Sequence, residues 1–451
     1  MAAITLEPFP FGRSFAVCLL DDTDLAVLDE IRPVYDRLDH YGIRATKTVW
    51  PLRAEPSPGA RNVDLVAHTL ADAEYRRYCQ TLQRRGCELA MHTASGGSNT
   101  RERTILGYRV FEDAFGQPPA TNIMHGRNRE NVYWGEACAP MPGLGRLVRI
   151  FEPTRFEGHL PDSPYFWGDI CREKTRYVRV FETLAADTLA FDPATPYHEP
   201  RKPWVNYWFA ASYGAGVRLF QLLRPEAIDA MRRRRGASII HLYCRHYGVP
   251  GSSGAEGVHP RFERLLGYLA AQPDGWYVPV VELLDRLRAV RAIHAEIRGG
   301  TLTLTNRTPL VVSDLAIRVP AGVDVADAEG RPLVPRQNRL GQIPVGTLRD
   351  RIVLRCTGLG ETPRITPRHP VRRPDYPRLV GGMIERIGWQ FAHGRPIRHR
   401  TGPPRLPWVD ALQRQGSRAR SIRGGGVHGG GDRSASPEGP PPSGDPSIET
   451  P

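Results

Sequence analysis

Over the first 290 residues, short apolar runs alternate with amphipathic stretches. Ser14–Leu20 is a continuous apolar run that ends in acids, the pattern of a strand buried on both faces. Leu25–Tyr41 repeats its apolar positions at helical spacing and stops at Gly42. Ile43–Trp50 is rich in β-branched residues and reads as a strand. Leu70–Arg85 is a predicted helix closed by Gly86. Cys87–Met91 is a strand ending at His92, Thr100–Phe115 a helix, and Ala120–Met124 a strand ending at His125. Residues 131–205 are dense in proline, glycine and aromatics and read as long loops with short elements. A helix over Glu226–Arg235, a strand over Ala237–Arg245, a helix over Pro260–Ala271 and a last strand and helix up to Val290 complete the series. Strands alternating with helices predict βαβ units, hence a parallel sheet or barrel whose site lies at the C-terminal strand ends.

Between Ala295 and Cys356 the period changes to two. TLTLTN, DLAIRVP and DRIVLRC, separated by turn residues, predict a small antiparallel β-sandwich-like module without chemistry of its own. Beyond it the chain is rich in Arg, Pro, Gly and Ser and shows little periodicity. The expected organisation is a barrel over 1–292, a β domain over 293–358 and a disordered tail over 359–451.

Charge changes the picture less than its total suggests. The net charge is +13. From Glu361 to Pro451, 15 arginines face 8 acids, leaving +6 for the first 360 residues. The folded part carries no basic stripe interleaved with aromatics, so specific nucleic-acid binding is not expected. The run Arg232–Arg235 fits a helix C-terminus, with Gly236 as its stop. Seven cysteines without a CxxC argue against a disulfide framework or structural zinc, and for a reducing, cytoplasmic setting. No apolar run is long enough to span a membrane, and no membrane partner is expected.

Polar groups recur after the predicted strands: Asp21, Asp22 and Asp24, then His92, His125 and His246. The segments carrying them are AVCLLDDTD (16–24), YGIRATKTVW (41–50), RRGCELAMHTAS (84–95), MHGRNREN (124–131) and ASIIHLYCRHYG (237–248), followed by GWYVPVVELLDRL (275–287). In this order they resemble the five motifs of the polysaccharide deacetylases, carbohydrate esterase family four. The resemblance spans roughly residues 14–290. It implies a distorted (β/α)7 barrel and a metal-dependent hydrolase that removes an acyl group from an N-acylated sugar or a related small-molecule amide.

The resemblance also implies roles. Asp22 is the base and Asp24 a metal ligand, with Asp21–Asp22 as the pair in an alternative register. His92 is a second ligand to a divalent metal, with zinc the first choice. His246 is the general acid, His241 being read as an interior histidine. Arg127 orients the catalytic aspartate. The family carries a further ligand histidine four residues after the first, where this chain has Gly96. Either His125 fills the gap, or the site binds metal weakly, or the chain is a decayed relative that binds carbohydrate or regulates. Asn128, Trp134, Trp167 and Trp204, from the aromatic-rich loops, are the expected sugar-binding residues.

Overall fold

A computed structural model describes residues 3–55, 67–334, 341–359 and 364–393. Seven parallel strands close into a barrel in the order β2 (Phe15–Asp21), β3 (Thr46–Val49), β4 (Glu88–Met91), β5 (Thr121–Ile123), β6 (Tyr177–Thr183), β7 (Tyr207–Tyr213) and β8 (Ala237–Leu242), which returns to β2; β1 (Ala3–Leu6) precedes them in the chain. A short β9 (Gly275–Tyr277) adds to the N-terminal half of β2. Every residue of β2, β3, β4, β5, β6 and β8 is buried. Helices cover one face and the interior is filled, which is why these strands read as unbroken apolar runs.

The intervening helices follow their apolar spacing. In Leu28–His40, Ile31, Val34, Tyr35 and Leu38 form the buried stripe. Gly42 and Gly86 end the first two helical segments with φ of +66° and +83°, a region open to glycine at little cost. The Arg232–Arg235 run departs from expectation in detail. Its helix is Pro225–Arg234, and Arg235, not Gly236, takes the left-handed conformation at φ +58°. Arg235 is buried, with Nε 2.9 Å from Glu7 Oε2. Gly236 is required for a different reason: a Cβ there would lie 2.2 Å from Asp187 Oδ2.

Two further strands were missed. β6 and β7 fall in or just after the segment read as loops. Arg179 and Glu182 break the apolar run of β6, and prolines and glycines crowd the chain before it.

The smaller β module consists of two four-stranded sheets. One has β14 (Ile343–Leu348), β12 (Val312–Arg318), β1 and β16 (Arg364–Pro367). The other has β10 (His294–Arg298), β11 (Thr301–Thr305), β15 (Arg351–Thr357) and β13 (Asp324–Ala326). Alternation predicted the inward residues: Leu302 and Leu304 are fully buried, in one cluster with Leu315, Ile317 and Leu354. The module also draws on strands outside 293–358. β1 comes from the start of the chain and pairs with β12 and, in parallel, with β16.

The expectation of a structureless tail from 359 is corrected for residues 364–393. Besides β16, this stretch forms a helix over Tyr376–His393. Tyr376, Leu379, Val380 and Met383 are its buried face, an i, i+3, i+4, i+7 stripe that composition alone had obscured. It approaches closely enough that a Cβ on Gly382 would meet Phe191 Cζ at 2.5 Å. Residues 360–363 and 394–451, the rest of the expected tail, lie outside the described residues.

Candidate functional site

The C-terminal strand ends and the Tyr376–His393 helix enclose a cavity of about 570 Å³, a size suited to a small ligand. Its floor is polar. Where β2 ends, successive side chains diverge. Asp21 turns away from the cavity and is consumed by the fold: its carboxylate accepts hydrogen bonds from Tyr35 Oη (3.0 Å) and Cys244 N (2.7 Å) and lies 3.1 Å from buried Lys47 Nζ. Asp22 and Asp24 line the cavity. The adjacent-acid register therefore gives way to Asp22 and Asp24.

Two groups of side chains meet there. In the first, Asp24 Oδ1 is 3.0 Å from His92 Nε2 and 3.6 Å from His125 Nε2. The ligand-capable atoms of these three residues lie within 4.8 Å of one another. Both rings are held from behind. His92 Nδ1 bonds Ile123 O at 2.9 Å, and His125 Nδ1 bonds Asn128 Oδ1 at 3.1 Å. The buried indole of Trp50 stacks on His92 and meets His125 edge-on, at ring separations of 5.9 and 5.4 Å. Because each ring donates its Nδ1–H to a carbonyl oxygen, both Nε2 atoms turn lone pairs toward Asp24. Two lone pairs and a carboxylate oxygen converging on one point suit a cation. When the rings are protonated instead, they hold Asp24 down at about 2; burial opposes its ionisation, and His125 and His92 outweigh it.

In the second group, Asp22 Oδ2 lies 3.2 Å from Arg179 Nη2 and 2.9 Å from His241 Nε2. His241 Nδ1 bonds Glu182 Oε1, and Glu182 Oε2 is 2.7 Å from Arg386 on the Tyr376–His393 helix. Both nitrogens of His241 face carboxylates, the setting of an imidazolium. Burial works against that charge, but Asp22 and Glu182 outweigh it and raise the His241 pKa. Burial likewise opposes ionisation of Asp22, and Arg179 followed by His241 holds its pKa well below the usual range. The other oxygen, Asp22 Oδ1, is buried and has no hydrogen-bond partner.

This geometry redistributes the expected roles. Asp22, Asp24, His92 and His125 come together, and His125 is the third ligand-capable side chain beside Asp24 and His92. The histidine on Asp22 is His241, not His246. β8 ends at Leu242, so His246 lies on a following turn and is exposed at the cavity rim beside Tyr243. In a closed barrel the interior face of a strand is the site face, so an interior histidine near the strand end is a site histidine. The arginine on Asp22 is Arg179, not Arg127, which is exposed on the rim with φ +72°.

Three of the expected sugar contacts are otherwise engaged. Asn128 is buried, and the two hydrogens of its Nδ2 are shared among Thr93 Oγ1, Ser95 O, Gly97 O and Glu130 Oε1. Trp167 is buried and donates from Nε1 to Glu130 O at 2.5 Å. Trp204 packs on Gly168 and meets Phe166 edge-on. Trp134 alone of the four lines the cavity. Arg179, Glu182 and Arg386 were missed. The first two were detectable as charges inside an otherwise apolar strand segment, YVRVFET. Arg386 had no signal, because its helix sits in a segment dominated by Arg, Pro and Gly.

No protein-family model matches the chain, and no curated protein matches it either. Among solved structures it is similar to a Mycobacterium smegmatis protein assigned as a polysaccharide deacetylase, at 13% identity over 63% of this chain and 94% of that one, TM-score 0.38. It is similar to Puue allantoinase at 12% identity over 63% and 93% of the two chains, TM-score 0.38. It is also similar to a family 4 acetyl xylan esterase from Clostridium thermocellum, solved with cobalt, at 13% identity over 59% and 89%, TM-score 0.29. The architecture itself is a (β/α)7 barrel, seven parallel strands closed within a cover of helices, with a separate antiparallel module.

Proposed function

We propose that the chain is a metal-dependent hydrolase that removes an acyl group from an N-acylated sugar or a related amide. One observation carries this reading: the Asp24–His92–His125 group and the Asp22–His241 pair open on the same cavity. Amide hydrolysis needs both a cation site and a base–acid pair.

The donor set of one carboxylate and two imidazoles fits a divalent ion such as zinc, with the ring orientation fixed by Ile123 O and Asn128. Asp24, His92 and His125 would hold it, and when bound it supplies Lewis acidity toward water and the acyl carbonyl. Asp22 is the base. Arg179 and His241 secure Oδ2, so Oδ1 is the free oxygen that takes a proton from water. His241 keeps a proton at Nε2 for the leaving amine, and Glu182 fixes the ring through Nδ1. Arg179, ion-paired with Asp22 at 3.2 Å and with Glu182 at 3.5 Å, adds a fixed positive charge to the cavity lining, where an oxyanion develops. Trp134 offers a half-buried aromatic face to a sugar ring.

The test is metal content together with acyl release from a panel of N-acetylated and N-formylated amino sugars, with zinc, cobalt or manganese supplied. The expected result is one tightly held ion and turnover abolished in Asp22→Asn. Metal content unchanged in both Asp24→Ala and His92→Ala would overturn the site, and turnover unchanged in Asp22→Asn would overturn the mechanism.

A further inference from the structure

Two helices that pack against each other, Pro142–Phe151 and Tyr376–His393, form one wall of the cavity. Their outer surface is unusual. The first helix buries Gly145 and Val148 on its inner side, yet its opposite side is not polar. Leu147 is 47% exposed, Ile150 71% and Phe151 42%; beside them, Phe391 on the second helix is 82% exposed. Met141, just before the first helix, adds to the same set. Half of the ten exposed large hydrophobic side chains among the described residues thus belong to these two helices and the residue before the first, and two of them, Phe151 and Phe391, line the cavity. Scattered surface hydrophobics need no explanation, but a concentration at the mouth of a cavity does.

The polar residues between them are cationic. Arg146 and Arg149 are exposed on the Pro142–Phe151 helix, which contains no acid. Arg127 is exposed on the same rim. The nearby acids are Glu136, which pairs with Arg149 at 3.4 Å, and Glu152. Bulky apolar groups interleaved with arginine are the marks of a helix that lies in a bilayer interface.

We propose that this rim seats on an anionic lipid surface, with the cavity mouth facing the headgroups. No helix among the described residues is long and apolar enough to cross a membrane, and lying on one requires none. Charge argues against the chain's own segment 394–451 as the occupant, since it holds nine arginines against five acids. If the hydrolase reading also holds, the substrate is an acylated amino sugar carried on a lipid; that consequence rests on the reading above, while the docking does not.

The experiment is co-sedimentation of the full chain with vesicles of phosphatidylcholine alone, or mixed with phosphatidylglycerol. It is run in EDTA so that turnover plays no part. Partition onto the anionic vesicles is expected. Ile150→Ser with Phe391→Ser, both at exposed positions, should lower it at least tenfold, and Arg146→Gln with Arg149→Gln should abolish the preference for the anionic lipid. The proposal fails if the full chain does not partition. It also fails if the Ile150→Ser, Phe391→Ser variant partitions undiminished, which would assign binding to the arginine-rich tail. A self-association lost in that variant, without vesicle binding, would assign the rim to a second copy of the chain.

Discussion

Arg386 Nη2 pairs with Glu182 Oε2 at 2.7 Å, from a helix some 200 residues further along the chain. Glu182 in turn holds His241, so a segment outside the barrel completes the carboxylate–imidazole relay inside it. Burial opposes ionisation of Glu182, and Arg386 followed by His241 and Arg179 keeps it a carboxylate. Arg386→Gln should therefore cost about 1–3 kcal/mol of stability, the range for hydrogen bonds to charged groups. It should also lower kcat about tenfold, with Arg386→Lys recovering part of both. Thermal melts and steady-state kinetics on the three proteins decide it.

Replacing the two histidines of the last motif separates the two assignments. His241→Gln should reduce turnover by about 10²–10⁴, the usual contribution of a positioned acid–base group. His246→Gln should leave it within a few-fold. The reverse order in a kcat comparison would restore His246 to the chemistry.

Asn128 offers a test of the support behind the cation site. Its Oδ1 fixes the His125 ring, and its amide hydrogens tie together the 93–97 turn and Glu130. Asn128→Ala should weaken metal affinity by about 10–100-fold, the effect of losing a residue that orients a ligand. Competition with a chromophoric chelator gives the number. An unchanged affinity would show that Trp50 alone holds the ring.

Glu130 gives a pH dependence. Burial pushes its pKa up to about 7, against the pull of hydrogen bonds from Asn99 and Asn128. A folded value above the unfolded one of about 4.3 means full stabilisation below pH 4.3, lost as pH rises toward 7. The loss is of order 3 kcal/mol. Glu130→Gln should remove this dependence. It should also be less stable at pH 5, because its amide would turn N–H groups toward the Asn99 N–H. Melting temperatures of both proteins between pH 4.5 and 8 provide the measurement, and parallel curves would refute the assignment.

Much of this molecule was legible because its strands obey one rule at a time. β2 and β4 are largely apolar runs followed directly by Asp22 and His92, whereas His241, one residue before the end of β8, was passed over for His246. The period-two stretch around Leu302 and Leu304 announced the second module equally well. What could not be read were residues whose meaning depends on closure. Arg179 and Glu182 look misplaced in a strand until the barrel brings them to Asp22 and His241. Asn128 and Trp167 looked like ligand-facing residues because polar amides and aromatics in long loops have the same composition whether they face a sugar or tie the loop down. Arg386 depended on a helix whose apolar stripe was diluted by the residues around it.

The pairing of β1 has a consequence for synthesis. Thr5 pairs with Arg318 and Ala3 with Arg364, so β1 is made more than 300 residues before either partner strand. At roughly 5–20 residues per second, the emerging chain carries an unpaired β1 for about 15–60 s before β12 exists. That strand is four residues long, a length that limits its use as a template by other chains. Such a distant pairing belongs to the slow, late part of folding. The barrel can assemble from nearest-neighbour strands while β1, a strand of the smaller module, waits for β12 and β16.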